Sequence, residues 1–178
     1  NDKKRFQNAH NSLKKKYDEF LNLNLIPQEE IKSTDRKENR LWKYGIKYWK
    51  DYFNPRQLLI MCTLVKNIKS CLKDIDDKES KKMLSVYLAF WLCRHVNNNT
   101  LGVLWSVTRE SPGHTLTLRQ PSIAMNHVET NPFTKVSGSL LNTKKNIIDA
   151  QKFATTEKHK STVSLNSVLN LSKSPKKY

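Results

Sequence analysis

Glycine is scarce, at four in 178 residues, and none of the four stand together. That leaves no glycine-rich loop to cradle a phosphate or a cofactor. Cysteine is scarcer still, and no Cys-x-x-Cys pair exists, so a zinc site of the usual spacing is not expected. Cys62, Cys71 and Cys93 lie in apolar runs, which predicts reduced core thiols in a cytosolic protein. No apolar run reaches the roughly 18 residues a membrane span needs. The histidines (His10, His95, His114, His127 and His159) show no metal-ligand spacing. No pair of carboxylates sits in an apolar setting suited to general acid–base work. A nucleophilic pairing of Cys93 with His95 or His127 is disfavoured against ordinary packing roles. The residues alone therefore describe a domain with no catalytic residues of its own.

Carboxylates are the other shortage: 16 Asp and Glu face 32 Lys and Arg, a net charge of +16. The cationic excess runs through the whole chain and is not confined to one tail. Phosphate contacts dominate nucleic-acid affinity, so a polyanionic partner is the natural expectation. A solvated Lys-rich surface is the plainer one. Apolar residues make up 37% of the chain. That is below the roughly 45–50% of typical globular domains, counted with Gly, so part of the chain should pack poorly.

Periodicity is mostly helical. Phe6, Leu13, Tyr17, Phe20 and Leu21 recur at helical spacing over residues 3–23, ended by Leu25-Ile26-Pro27. Residues 28–40 read as a polar linker. Asn54-Pro55 is a helix-start signal, with Asn as N-cap and Pro where its missing N–H costs nothing. That helix runs to about Leu72. Arg56 and Gln57 fall in its first turn, where a cation opposes the helix dipole and calls for an anion or a side-chain partner. Residues 78–96 form the next helix, apolar almost all round from Met83 to Val96, which predicts a helix buried mid-domain. Asn97-Asn98-Asn99 breaks it. Short strands are expected near 101–107 and 115–118, a short helix over 122–130, a helix over 138–153, and a strand near 161–166.

Two segments invite a chemical reading. Between Trp42 and Phe53, aromatic residues alternate with Lys43, Lys47 and Lys50. Such a run can stack bases and neutralise phosphates together, or simply anchor a loop onto a core. Asn131-Pro132-Phe133 is close to the Asn/Asp-Pro-Pro-aromatic motif of amino-group methyltransferases, in which polar acceptors hold the target amine and the ring stacks on the flipped base. One Pro is missing, the ring is displaced by a residue, and no buried strand leads in. A turn is the expected role.

Taken in order, several landmarks resemble a family. Tyr44-Gly45, Trp49, Asp51, Phe53 and Arg56-Gln57-Leu58-Leu59 are similar to the Tyr-Gly-x-x-x-Trp-x-Asp-x-Phe-x-x-Arg-Gln-Leu-Leu signature of adenine-specific DNA methylases, many of which carry a zinc ribbon. Ile26-Pro27-Gln28-Glu29, Tyr87-Leu88-Ala89-Phe90, Arg119-Gln120 and Glu129-x-Asn131-Pro132-Phe133 resemble further elements of that family, across roughly residues 25–133. At Met125-Asn126-His127 the chain departs from the family's Trp and acidic residue. The resemblance implies an internal segment lying between the cofactor motif and a catalytic Asp-Pro-Pro-Tyr motif expected beyond Tyr178. The parent would be an S-adenosylmethionine-dependent DNA methyltransferase of the prokaryotic cytoplasm.

The expectations are these. The fold is mainly α, a bundle-like helical segment with a C-terminal α/β piece belonging to a Rossmann-like methyltransferase domain. Residues 1–24 form the N-terminal helix, 25–133 the helical core segment, and 134–178 a helix plus strand leading to the catalytic part. DNA contacts are expected at Lys43, Lys47, Arg56, Gln57, Arg109 and Arg119. Asn166 and Ser167 are weak cofactor candidates, and no cofactor or metal is expected on this segment alone. Its partners are DNA and the remaining parts of the methyltransferase, with no membrane. Two alternatives stand beside this: a stand-alone nucleic-acid-binding or interaction module, and a helical scaffold that touches no DNA.

Overall fold

A computed structural model describes residues 2–31, 40–117 and 123–156. The strand expected near 161–166, together with Arg119, Gln120, Asn166 and Ser167, lies outside the described residues. Within them the chain is mainly helical: α1 (Asp2–Asn22), α2 (Arg40–Lys43), α3 (Pro55–Lys73), α4 (Lys78–Asn98) and α5 (Leu140–Thr156). Two single-turn 3-10 helices cover Trp49–Tyr52 and Thr115–Thr117. One small antiparallel sheet pairs β1 (Trp105–Ser106) with β2 (Ser111–Pro112). The second strand expected near 115–118 is instead the 3-10 turn at Thr115–Thr117. Residues 123–130 run without a helix.

The helix ends follow from local chemistry. At the start of α3, Asn54 Oδ1 accepts from Gln57 N at 2.9 Å, and Gln57 Oε1 accepts from Asn54 N at 3.0 Å. This reciprocal cap, with Pro55 at the first position, satisfies donors the helix leaves open. Asp77 caps α4 by accepting from Ser80 N at 2.8 Å. Helix α1 stops before Pro27, through a left-handed residue at Asn24 (φ 51). Leu25 N donates to Phe20 O and Asn24 N to Leu21 O, a Schellman closure that presses Leu25 onto Phe20. The same closure ends α2, with Gly45 (φ 80) left-handed, Ile46 N on Leu41 O, and Ile46 packed with Leu41.

The apolar core is split. One cluster joins α1 and α3 through Leu13, Phe20, Leu25, Ile26, Leu58 and Cys62. The other gathers Ile31, Leu41, Ile46 and Tyr52, and Phe53 packs against both. Of the three cysteines only Cys62 is a core thiol, pushed up to about 11 by burial; Cys71 and Cys93 are exposed. Helix α4 also departs from expectation. Met83 and Phe90 are 56% and 58% exposed, and Leu84 and Val86 stay open as well. Helices α3 and α5 pack against α4. With the 3-10 turn at Thr115–Thr117 they cover only part of its circumference, so an all-round apolar sequence leaves apolar surface bare.

Polar side chains hold the second half of the chain. Asn97 Oδ1 accepts from Leu116 N at 2.7 Å, and Asn98 Nδ2 donates to Gly113 O at 2.9 Å. Asn99 Nδ2 donates to Gly138 O at 3.0 Å, while its Oδ1 accepts from Thr130 Oγ1 at 2.8 Å. The Thr100 and Thr115 hydroxyls lie 2.6 Å apart. His95 joins this group, 2% exposed, with Nδ1 3.1 Å from Asn99 Nδ2. Burial pushes the His95 imidazole down to about 4.

Two stability measurements follow. Asn99→Ala removes the amide that joins Gly138 to Thr130 and leaves the Gly138 carbonyl and the Thr130 hydroxyl only their own longer bond at 3.3 Å, so urea denaturation should show a loss of about 2 kcal/mol. A loss no larger than that of an exposed Asn→Ala would contradict the hub. For His95 the folded value lies below that of a free imidazole, so its contribution is present above pH 6.5 and is lost as pH falls towards 4. The drop in unfolding free energy between pH 7 and pH 4.5 should therefore shrink by about 2–3 kcal/mol in His95→Gln. An unchanged drop would show that the ring is not buried in its neutral form.

Candidate functional site

Arg56 and Glu129, 73 residues apart in sequence, meet at the start of α3. Arg56 Nε donates to Glu129 Oε1 and Nη2 to Oε2, both at 2.8 Å, a two-bond fork that fits a guanidinium to a carboxylate. Asn54 Nδ2 donates to the same Oε2 at 3.0 Å. Asn54 thus caps α3 with its oxygen and holds Glu129 with its nitrogen. The third arm of Arg56, Nη1, donates to Asp2 Oδ1 at 2.9 Å, and the Phe6 ring lies 5.6 Å from the guanidinium carbon. These partners, Glu129 foremost, hold Arg56 protonated more firmly than a free guanidinium. The cation that the helix dipole disfavours at this position is offset by two carboxylates.

The fork closes one end of a cleft of about 440 Å³, lined by Arg5, Arg56, Ile60, Glu129, Asn131 and Phe133 among others. Two guanidiniums and two carboxylates balance there, so the cleft is not an anion site. Ile60 and Phe133 also line a second, largely apolar cleft of about 400 Å³ with Leu59, Trp91 and Leu140. Phe133 forms the ridge between them and is 76% exposed. Its position is set by Asn131, whose Oδ1 accepts from Phe133 N at 3.0 Å. The Pro132 carbonyl accepts from Leu141 N at 3.3 Å. The acceptors that an amino-group methyltransferase would aim at a target amine here meet backbone N–H groups of the turn and of α5.

The expected contact residues separate into three situations. Lys43 ends α2 and Lys47 lies just beyond the turn that follows it, both exposed. Arg109 is exposed in the β1–β2 loop, its Nε donating to Ser106 Oγ at 3.3 Å. Arg56 is held in the fork. Gln57 is 2% exposed, so its amide faces protein, and its Nε2 has no hydrogen-bond partner among the described residues. The contact expected of Gln57 is replaced by a capping role, because the reciprocal cap with Asn54 draws the side chain inward. Arg119 lies outside the described residues. Sequence reasoning did not single out Asp2, Phe6 or Glu129 as partners of Arg56, although a cation in a first turn signals that some partner is required. It also missed Arg94, which with Arg109 acts on His114, whose pKa is lowered first by burial and then by these two cations.

A cofactor cradle uses the open side of a glycine, and at Gly138 that side meets Pro112 Cγ and Asn98, while at Gly113 it meets the Leu104 carbonyl. Gly45 faces open space with no wall around it. Among the described residues no group of histidines, cysteines and carboxylates could hold a metal ion, and no helix is long and apolar enough to cross a membrane. Comparison with family models, curated proteins and solved structures gives no match for the chain.

Removing one side of the fork should be costly. Glu129→Gln is expected to destabilise the chain by about 2 kcal/mol in urea unfolding, since it leaves Arg56 half-paired beside a partly buried amide. Arg56→Lys should be no better tolerated, because an ammonium cannot make the parallel pair of bonds. Asp2 is exposed, and Asp2→Asn should change little. Equal losses for Asp2→Asn and Glu129→Gln would show that the fork is not the working contact.

Proposed function

We propose that this chain is an internal segment of an S-adenosylmethionine-dependent DNA adenine methyltransferase, supplying DNA contacts and scaffold and not catalytic alone. The observation that carries the reading is the Arg56–Glu129 fork. The Arg-Gln and Glu-x-Asn-Pro-Phe elements that resemble the methylase family are remote in sequence, yet they build one structural unit. Chance likeness in scattered short motifs gives no reason for them to meet. The excess of 32 cations over 16 carboxylates supports a nucleic-acid partner.

On this reading, Lys43, Lys47, Arg109 and Arg119 meet DNA phosphates, while Arg56 and Gln57 act as positioning residues for the start of α3. The catalytic and cofactor-binding residues belong to a Rossmann-like domain of the parent enzyme, to which the C-terminal α/β piece contributes. The setting is the prokaryotic cytoplasm. A stand-alone basic module that binds nucleic acid remains the second reading, favoured by the net charge of +16.

Two measurements test the proposal. The chain should bind random duplex DNA with an affinity that falls steeply as salt rises, and Lys47→Ala should reduce the slope of log K against log salt by about 1. The complete gene product should move a labelled methyl group from S-adenosylmethionine to adenine in duplex DNA. Salt-sensitive binding without methyl transfer by the complete product would favour the stand-alone module. Salt-insensitive or absent binding would sink both readings.

A further inference from the structure

The run from Leu41 to Phe53 allowed two roles in sequence, anchoring a loop or stacking on bases. The structure divides the run between them. Leu41, Ile46 and Tyr52 are buried, at 1%, 4% and 3% exposure, and they pin the segment to the core. Trp42, Tyr44, Tyr48 and Trp49 stay open to solvent in part, at 36%, 50%, 41% and 38% exposure, with the Trp49 ring meeting buried Tyr52 edge-on at 6.4 Å between centroids. Four large rings within eight residues is a concentration of exposed aromatic surface that ordinary solvated turns do not carry.

This surface is held in place before any ligand arrives. Trp42 Nε1 donates to Ile31 O at 2.9 Å, which fixes that ring. The segment pairs with the chain at Glu30 through Ile31 N to Lys47 O at 2.8 Å and Trp49 N to Glu29 O at 3.1 Å. Asp51 Oδ2 accepts from Tyr48 N at 3.0 Å and Lys47 N at 3.1 Å, so its charge is spent on the turn. A rigid platform loses less freedom on binding than a floppy one.

Cations lie against the rings. Lys47 Nζ is 5.9 Å from the Trp42 ring centroid, and Lys50 Nζ is 5.5 Å from that of Tyr48. Lys50 also reaches Tyr17 on α1, at 3.2 Å from its hydroxyl. Exposed Glu29 and Glu30 flank the pairing strand and temper the local charge. The combination of stacking rings and adjacent ammonium groups suits a ligand that alternates flat rings with phosphates.

We infer that Trp42, Tyr44, Tyr48 and Trp49 form a stacking platform for unpaired DNA nucleotides, with Lys43, Lys47 and Lys50 on the strand's phosphates. Duplex DNA is the poorer fit, because its bases are stacked on one another and show these rings only their edges. A methyltransferase that extrudes its target base leaves unpaired nucleotides in the duplex, so the inference rests on the DNA-directed reading above and deepens it. Ring-to-base stacking is sequence-tolerant, so the platform should bind without strong base preference.

The test titrates the full chain with a labelled oligo-dT strand and with a random duplex of equal length at one fixed low salt concentration. The strand is expected to bind more tightly than the duplex and to quench tryptophan fluorescence. Tyr48→Ala and Trp49→Ala should each weaken strand binding about tenfold, with duplex binding altered less than about twofold, while Trp49→Phe retains most of the affinity. Duplex binding with no preference for the strand, or alanine variants that lower both affinities equally, would overturn the platform and leave the DNA reading standing. Failure to bind either ligand would overturn both. Tighter binding of oligo-U than of oligo-dT would assign the surface to RNA and overturn the proposal as stated.

Discussion

Four consecutive side chains at the end of α4 bind two later stretches of chain, residues 113–116 and 130–138. Asn97 holds residue 116, Asn98 holds 113, Asn99 holds 130 and 138, and Thr100 meets Thr115. The rest of the second half leans on this constraint, beside backbone bonds such as Ala124 N to Leu101 O and Val128 N to Val103 O. The two apolar clusters lie mainly in the first half, and Leu101 and Ile123 only lean on the second of them. A buried polar network stabilises only when its members are satisfied, and each bond gains strength from the dry surroundings. Asn99 is 2% exposed and its amide is engaged at both ends, so it meets that condition.

The hub also explains the ion pair. Thr130 is bonded to Asn99 through both its hydroxyl and its backbone nitrogen. Glu129 is therefore delivered to one place, against the first turn of α3. There the cap residue and the cation of that turn both point at it. A salt bridge assembled from two flexible side chains contributes little. This one joins a carboxylate fixed by the hub to a guanidinium fixed by a helix start, so less freedom is lost in forming it. The fork in turn sets the wall of the cleft, and the turn at Asn131 sets Phe133 on its ridge.

Much of the helical architecture was legible in the sequence. The helix over 3–23 is found at Asp2–Asn22, that over 78–96 at Lys78–Asn98, and that over 138–153 at Leu140–Thr156. The Asn54-Pro55 start is found with its cap in place. These features are local, governed by periodicity and by neighbours three or four positions away. What was not legible is pairwise and distant. Asn97-Asn98-Asn99 reads as a helix breaker, since nothing in the letters says which backbone groups the three side chains will meet. Burial of α4 was inferred from its all-round apolar composition, but composition does not count the neighbours available to cover it. For the site, the unfavourable charge at Arg56 announced a partner, and only the fold names Glu129 and Asp2. Gln57 was misjudged for the same reason: its inward turn is decided by the cap, not by its polarity.

The aromatic segment shows how one stretch can serve two masters without a regular period. In a strand, alternate side chains would face in and out; in a helix, every third or fourth would. Residues 41–53 do neither. A short helix closes at Gly45, whose left-handed backbone folds Ile46 back onto Leu41. Asp51 then draws the amides of Lys47 and Tyr48 inward, and a 3-10 turn at Trp49–Tyr52 returns Tyr52 to the core. The inward residues are thus placed by turn chemistry, and the rings left outside are the remainder that the turns expose. Their exposure is consistent with a surface kept for a ligand, and the backbone bonds beneath it keep that surface from collapsing onto the protein.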